Sequence, residues 1–267
     1  MTSIKNKIVF ITGASSGIGK ACAEAFASKG TSLILCARRI ERLNELKKNL
    51  LKKYKVKVLI LQLDVRKSHD VKKVIGSLPA QRKQIDILIN NAGLARGFSK
   101  VHEADIAHWE EMIDTNVKGL LYVTRAILPQ MVERKRGHVI NIGSTAGHEV
   151  YVMGNVYCAT KFAVKALTQS IRVDVLDKNI KVTSVDPGMV LTEFAKVRFS
   201  GDDNRANKVY EGVTPLSPKD VAEAVLFSAT RPANVNINEI ILTPIMQASS
   251  TQIYRNKAWE NFIYKKN

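Results

Sequence analysis

The chain of 267 residues has only three cysteines, Cys22, Cys36 and Cys158, standing far apart. Their number and spacing exclude a disulfide framework and a Cys-x-x-Cys metal site, and no Asn-x-Ser/Thr acceptor occurs, so a reducing setting is expected. Long hydrophobic runs are missing too. No stretch approaches the ~18 apolar residues of a spanning helix. The N-terminal run Ile8–Ile11 falls short of the ~7–15 residues of a secretion signal. The chain ends in Lys265-Lys266-Asn267, not the peroxisomal Ser-Lys-Leu. These features predict a cytoplasmic protein with no membrane partner. The five histidines, His69, His102, His108, His138 and His148, share no metal-ligand spacing; no metal is expected, and each reads as structural or surface. Acids are scarce: 24 Asp+Glu face 41 Lys+Arg, a net charge of +17. That balance raises nucleic acid as a partner. The excess, however, is spread over lysines such as Lys47, Lys52, Lys57 and Lys72, without the interleaved aromatics that stack bases. A solvated surface is the expected reading, with no nucleic-acid partner.

What is present is ordinary globular material, 45% hydrophobic and 24% charged, which excludes a disordered or fibrous chain. Short β-branched runs at Lys7–Thr12, Ser32–Ala37, Val56–Leu63, Ile85–Asn90, His138–Ile142, Ile180–Asp186 and Glu239–Leu242 alternate with helical patterns, the mark of βαβ units and a parallel sheet. Most runs are apolar throughout, as for strands covered on both faces. Ile18, Ala21, Cys22, Ala25 and Phe26 form one helical stripe closed by Gly30. Ser68 reads as an N-cap before Val71, Val74, Ile75 and Leu78, stopped at Pro79, and Ser217-Pro218-Lys219-Asp220 is a stronger start signal. No linker or composition break divides the chain, so residues 1–267 are expected to form a single α/β domain, doubly wound, with a mostly parallel sheet. Met189 to Thr214 has no clean period. As an irregular insertion after the sixth strand, it is a candidate substrate lid. Residues 248–267 read as a C-terminal tail.

The first strand runs into Thr12-Gly13-Ala14-Ser15-Ser16-Gly17-Ile18-Gly19. Its glycines allow a tight turn and close backbone approach, and the helix that follows offers free N–H groups to a pyrophosphate. The second strand ends Ala37-Arg38-Arg39. Where an acid would hold the ribose 2′-hydroxyl of NAD there is Ala37, while Arg38, with Arg39, can bond a 2′-phosphate, which predicts NADP.

Tyr157 and Lys161 are an i, i+4 pair thirteen residues beyond Ser144, itself just past a strand. Drawing a phenol from pKa ~10 to ~7 takes roughly 4 kcal/mol, which a neighbouring ammonium and an oxidised nicotinamide can supply. Ser144 would hydrogen-bond the substrate oxygen.

Taken together, Thr12-Gly13-x-x-x-Gly17-x-Gly19, Asn90-Asn91-Ala92-Gly93, Asn116, Ser144, Tyr157-x-x-x-Lys161 and Pro187-Gly188 resemble the short-chain dehydrogenase/reductase family over nearly the whole chain. The resemblance implies a Rossmann-type seven-stranded sheet with helices on both faces, binding NAD(P). It implies that Asp64 and Val65 lie near the adenine, Asn91 beside the adenosine ribose, and Lys161 also on the nicotinamide ribose. Asn116 would anchor a relay water, and Pro187, Gly188, Val190 and Thr192 would run along the nicotinamide. It also implies a homo-oligomer, dimer or tetramer, built on the helices that carry Asn116 and Tyr157. Ile142–Gly147, Gly154–Tyr157, Val197–Asp203 and Asn236–Asn238 are similar to the NADP-dependent 3-hydroxy acid dehydrogenases that oxidise serine and allo-threonine. For such a substrate Arg198 is the candidate carboxylate partner. Two alternatives stay open: a carbonyl reductase of broader ketone and aldehyde range, and a non-catalytic NADP-binding or nucleic-acid-associated protein. Arg96-Gly97-Phe98 and Trp259–Asn267 carry no assignable role.

Overall fold

The computed structural model describes residues 2–256 and Ala258; the end of the expected tail, Lys257 and Trp259–Asn267, lies outside the described residues. Seven strands pair in the order β3-β2-β1-β4-β5-β6-β7: β1 Ile8–Thr12, β2 Ser32–Ala37, β3 Val58–Gln62, β4 Ile87–Asn90, β5 Gly137–Ile142, β6 Ile180–Pro187 and β7 Glu239–Leu242. Every adjacent pair is parallel, so the sheet is wholly rather than mostly parallel. Parallel neighbours need long crossovers, and helices supply them. Helices α1 Gly17–Ala27, α2 Ile40–Tyr54, α3 Ser68–Gly76 and the short α4 Ala80–Lys83 fill the first half. Helices α5 Ile106–Ile113 and α6 Leu120–Glu133 run together through the π-helical stretch Asp114–Gly119. Helices α7 Asn155–Asp174, α8 Phe194–Arg198, α9 Asp203–Lys208 and α10 Pro218–Ala229 follow.

Strand alternation decides which layer each side chain joins. Val9 and Ile11 of β1 pack with Phe26 of α1, Leu43 of α2 and Val225 of α10. Phe10 between them packs on the opposite face with Val71 of α3, Val123 and Ile127 of α6 and Ile171 of α7. Each such burial contributes about 1.5–3 kcal/mol, which is why β1 to β4 are apolar at nearly every position.

The ladder is shorter than the apolar runs. Val56 and Ile85 are buried but lie outside the paired residues, because core contact extends past the ladder. Ser68 is the first helical residue rather than the cap; Lys67 holds that place without a side-chain bond. Ser217 forms the full reciprocal capping box with Asp220, and Pro218 sits at the first helical position. Gly30, at φ +73, turns the chain from α1 into β2.

Sheet order reverses between β1 and β4, and their carboxyl ends open a crevice there. The insertion after β6 is pinned at its base by a parallel bridge, Val190 with Leu216, and holds α8 and α9. It is therefore an excursion with fixed ends rather than a structureless loop.

Candidate active site

The crevice encloses about 330 Å³. Gly13, Ser15, Ser16, Gly17 and Ile18 from the β1–α1 turn line one wall, with Asn91 below and Asp64 and Val65 after β3 at one end. Gly13 has φ +64, and a Cβ there would stand 2.9 Å from Asn91 Nδ2 and 3.0 Å from Ala92 Cα. Only glycine gives both that turn and that closeness. Gly19 lies beneath the loop rather than on the cleft, where a Cβ would meet Asn91 Nδ2 at 2.5 Å. Asn91 ties the turn to β1 by donating Nδ2–H to Thr12 O at 2.9 Å. Ser16 occupies the N-cap of α1 but makes no side-chain capping bond, so the first-turn N–H groups are available to an anion. This cradle fits a dinucleotide diphosphate.

Beyond it lies a basic corner where Arg38, Arg39, Arg42, Arg66 and Arg96 meet Asp64, Glu111 and Glu193. Arg38 is half exposed, its only ion contact among the described residues being Glu111 Oε1 at 3.7 Å. Glu111 also holds Arg66 at 3.4 Å and Arg96 at 2.6 Å. Although burial opposes it, these cations keep the Glu111 carboxyl below the usual carboxylate range. Asp64 is held by Arg66 at 2.6 Å. Arg39 is committed differently: its guanidinium donates to Ser15 Oγ, to Ser16 Oγ at 2.8 Å and to Glu193 Oε2 at 2.9 Å. Of the two arginines expected at a 2′-phosphate, Arg38 is thus the free one. Glu193, which sequence reasoning missed, lies 154 residues from Arg39; no local pattern links them.

At the other end, Ser144, Tyr157 and Lys161 meet. Ser144 caps the turn Thr145–Gly147 just past β5, accepting from Ala146 N. Tyr157 and Lys161 leave one face of α7, and the Ser144 hydroxyl is near enough to the phenol to pull its pKa down. Lys161 Nζ donates to Ile142 O at 3.0 Å and stands 5.9 Å from the Tyr157 ring centre. Burial brings the Lys161 amine down to about 8, against the opposing pull of Asp186. The expected acidification of Tyr157 is not supplied by the chain alone. Burial and the neighbouring Tyr151 push the phenol above the ordinary tyrosine value, and Ser144 and Arg198 pull it back only in part.

Asn116 lies in the π-helical stretch below the cleft. Its Oδ1 accepts from Leu94 N at 2.8 Å, and its Nδ2 donates to Leu94 O and to Thr160 Oγ1. A π turn of this kind re-aims one side chain of a helix. Asn116 Oδ1 and Lys161 Nζ both lie close to Gly93, each within 4 Å of where its Cβ would be.

Pro187 ends β6, and Gly188, Val190 and Thr192 follow it along the cleft. Arg198, at the end of α8, does not line it but roofs the end where Ser144, Tyr157 and Lys161 meet. Its guanidinium lies 5.6 Å from the Tyr157 ring centre, 5.5 Å from Tyr151 and 4.9 Å from Phe98. Arg198 Nη1 donates to Tyr151 Oη at 2.9 Å, its Nε donates to Gly97 O, and Arg96 Nη1 donates to Val197 O at 2.8 Å. Arg96-Gly97-Phe98, without a role in the sequence, is the seat on which α8 rests.

Histidine spacing also concealed one cluster. His148 Nε2 lies 2.6 Å from Asp186 Oδ2 and 3.7 Å from Glu239 Oε1, brought together by β6 and β7. Lys165 Nζ donates to His148 Nδ1 at 2.8 Å and approaches Glu239 at 3.9 Å, so an ammonium already supplies the cation between these acids.

Comparison with known proteins places this geometry among relatives. A family model described as short chain dehydrogenase matches residues 7–203. The NADP-dependent 3-hydroxy acid dehydrogenase YdfG of Salmonella typhi is 50% identical over 242 residues, 90% of this chain and 96% of that one. The NADP-dependent 3-hydroxy acid dehydrogenase of Schizosaccharomyces pombe is 45% identical over 259 residues, 97% of this chain and all of that one. Among solved structures, the closed form of serine dehydrogenase complexed with NADP+ superposes with a TM-score of 0.88 at 46% identity, covering 94% of this chain and all of that one.

Proposed function

The chain belongs to the short chain dehydrogenase family, and on that premise we propose that it is an NADP-dependent oxidoreductase acting on the hydroxyl of a small 3-hydroxy acid of the serine, allo-threonine or 3-hydroxyisobutyrate class. The observation that carries the substrate class is Arg198, a guanidinium held over the Tyr157 ring where a carboxylate two carbons from the reacting hydroxyl would lie. Gly13 to Gly19 and the free first turn of α1 would hold the diphosphate, Asn91, Asp64 and Val65 the adenosine, and Arg38 the 2′-phosphate, while Arg39 is engaged by Ser15, Ser16 and Glu193. Pro187 to Thr192 would hold the nicotinamide, which when bound would supply the hydride acceptor and a positive charge.

Ser144 donates to the substrate oxygen and fixes it against Tyr157. Tyr157 Oη takes the hydroxyl proton in oxidation and returns it in reduction. Lys161, kept largely protonated at neutral pH by a pKa of about 8, favours the phenolate and reaches the ribose. A water between Lys161 Nζ and Asn116 Oδ1 would carry the proton onward. The segment 189–214 acts as the lid, with α8 bringing Arg198 down on the substrate. Copies of the chain pair through α6 and α7, whose Leu121, Phe162 and Val173 are exposed, as a dimer or tetramer in the cytoplasm. Among the described residues no helix is long and apolar enough to cross a membrane.

A panel of hydroxy acids, neutral alcohols and ketones with NADP and NAD in parallel tests the reading. Turnover of 3-hydroxy acids with NADP is expected, and Tyr157→Phe should lower it by about 10²–10⁴-fold while NADPH still binds. Turnover confined to neutral ketones would move the activity to a carbonyl reductase. Binding without any turnover would make the chain a sensor.

A further inference from the structure

The mouth of the crevice is crossed by a set of contacts that the hydride-transfer chemistry does not use. Glu193 Oε2 accepts from Arg39 Nη1 at 2.9 Å, and Glu193 Oε1 accepts from Arg42 Nη1 at 2.6 Å. Both carboxylate oxygens are therefore occupied by different guanidinium groups, one at the end of β2 and one in the first turn of α2. Arg39 itself reaches back to Ser15 and Ser16 in the phosphate loop. The adjacent Thr192 closes the same gap: a Cβ on Gly17 would lie 3.3 Å from Thr192 Cγ2. The chain thus bridges from the β1–α1 turn, through Arg39, to the segment after β6, and all of Ser15, Ser16, Gly17, Thr192 and Glu193 line the cleft. Glu193 is moreover the N-cap residue of α8, and four residues on, Val197 N donates to Glu193 O at 2.9 Å. One turn of helix connects it to Arg198, which lies against Tyr157.

We propose that Glu193 and Arg42 are positioning residues for the cofactor, forming with Arg39 a clasp that retains the bound dinucleotide and ties its retention to the placement of Arg198 over Tyr157. The inference rests on the reading of the crevice as an NADP site. Its logic is geometric. A dinucleotide lying on the phosphate loop has Thr192 and Glu193 on one side and Ser15 and Ser16 on the other, and it leaves by parting them. Parting them breaks the fork at Glu193. The clasp grips no group that distinguishes NADP from NAD, so it slows the release of both. Arg38, outside the clasp, bears on the 2′-phosphate alone.

The experiment measures NADPH and NADH release by stopped-flow fluorescence of the reduced nicotinamide, in the full chain and in E193Q, R42Q, the double variant and R38A. E193Q and R42Q are each expected to speed release of both dinucleotides by about fivefold, the scale of a partly exposed ion pair. The double variant should add little to E193Q, because Glu193 is the shared acceptor of both arginines. Without any cofactor, backbone amides of residues 194–199 should exchange faster in E193Q and remain as in the unaltered chain in R38A. Unchanged release in E193Q overturns the clasp. So does tighter NADPH binding in E193Q with NADH unaffected, which would make Glu193 an internal competitor of the 2′-phosphate. An unaltered chain that binds neither dinucleotide would instead remove the NADP reading, and faster exchange at 194–199 in E193Q would still show that the fork holds α8 in place.

Discussion

Replacing Arg38 by alanine isolates the origin of the cofactor preference. The guanidinium is 53% exposed, and its one ion contact among the described residues is the 3.7 Å approach to Glu111 Oε1. Glu111 keeps Arg96 at 2.6 Å and Arg66 at 3.4 Å when Arg38 is gone. An exposed pair of this length contributes roughly 0–1 kcal/mol, so the fold should tolerate the change and Tm should barely move. Toward a phosphate dianion the balance differs. A charge-assisted hydrogen bond contributes about 1.5–3 kcal/mol, and the exposure of this site favours the lower half of that range. That loss corresponds to about a 10–40-fold weaker Kd for NADP. Arg39 cannot replace it without leaving Ser15, Ser16 and Glu193. NAD, which lacks the phosphate, should bind Arg38→Ala as it binds the unaltered chain. Fluorescence titration with NADPH and NADH at fixed salt reads both constants. Equal losses for the two dinucleotides, or none for NADPH, would refute the assignment.

Two further outcomes test other parts of the structure. Arg198→Met should raise KM for a 3-hydroxy acid about tenfold or more while leaving that for a neutral alcohol nearly unchanged, read from initial rates with both substrates. His138 gives an acid signature. It is buried, with Nε2 paired to Thr183 Oγ1 at 2.8 Å and Nδ1 unpartnered, and burial, aided by Lys181, lowers its pKa from 6.5 to about 3. Below pH 6.5 the unfolded chain gains a proton that the folded chain refuses, so stability contributed by the neutral ring is present above that pH and is lost as pH falls. The slope is about 1.4 kcal/mol per pH unit, hence about 2 kcal/mol between pH 7 and 5. Urea unfolding should show that loss in the unaltered chain over and above the loss in His138→Gln, and equal losses in the two would contradict it.

The sequence by itself determined the sheet and where along it the candidate residues stand. Apolar runs of β-branched residues separated by 3.6-period stripes leave a parallel, doubly covered sheet as the packing solution, and the glycine turn after β1, Ser144 after β5 and the Tyr157–Lys161 step on α7 are local signals. A residue's place at the carboxyl end of a strand follows from its neighbours. Tertiary structure decided whatever depends on which distant residues meet. Arg38 and Arg39 are adjacent and chemically alike, yet Glu111 leaves one free and Glu193 engages the other. His148 finds Asp186 and Glu239 only because β6 and β7 lie side by side. Arg96-Gly97-Phe98 looked idle until α8 came to rest on it. The phenol of Tyr157 shows the same division: spacing put an ammonium near it, but burial, a property of the whole packed body, set the direction of its pKa. Pattern along a chain fixes which face a side chain takes, whereas charge partners and desolvation are fixed by chain segments far away in number, and those are set only when the fold closes.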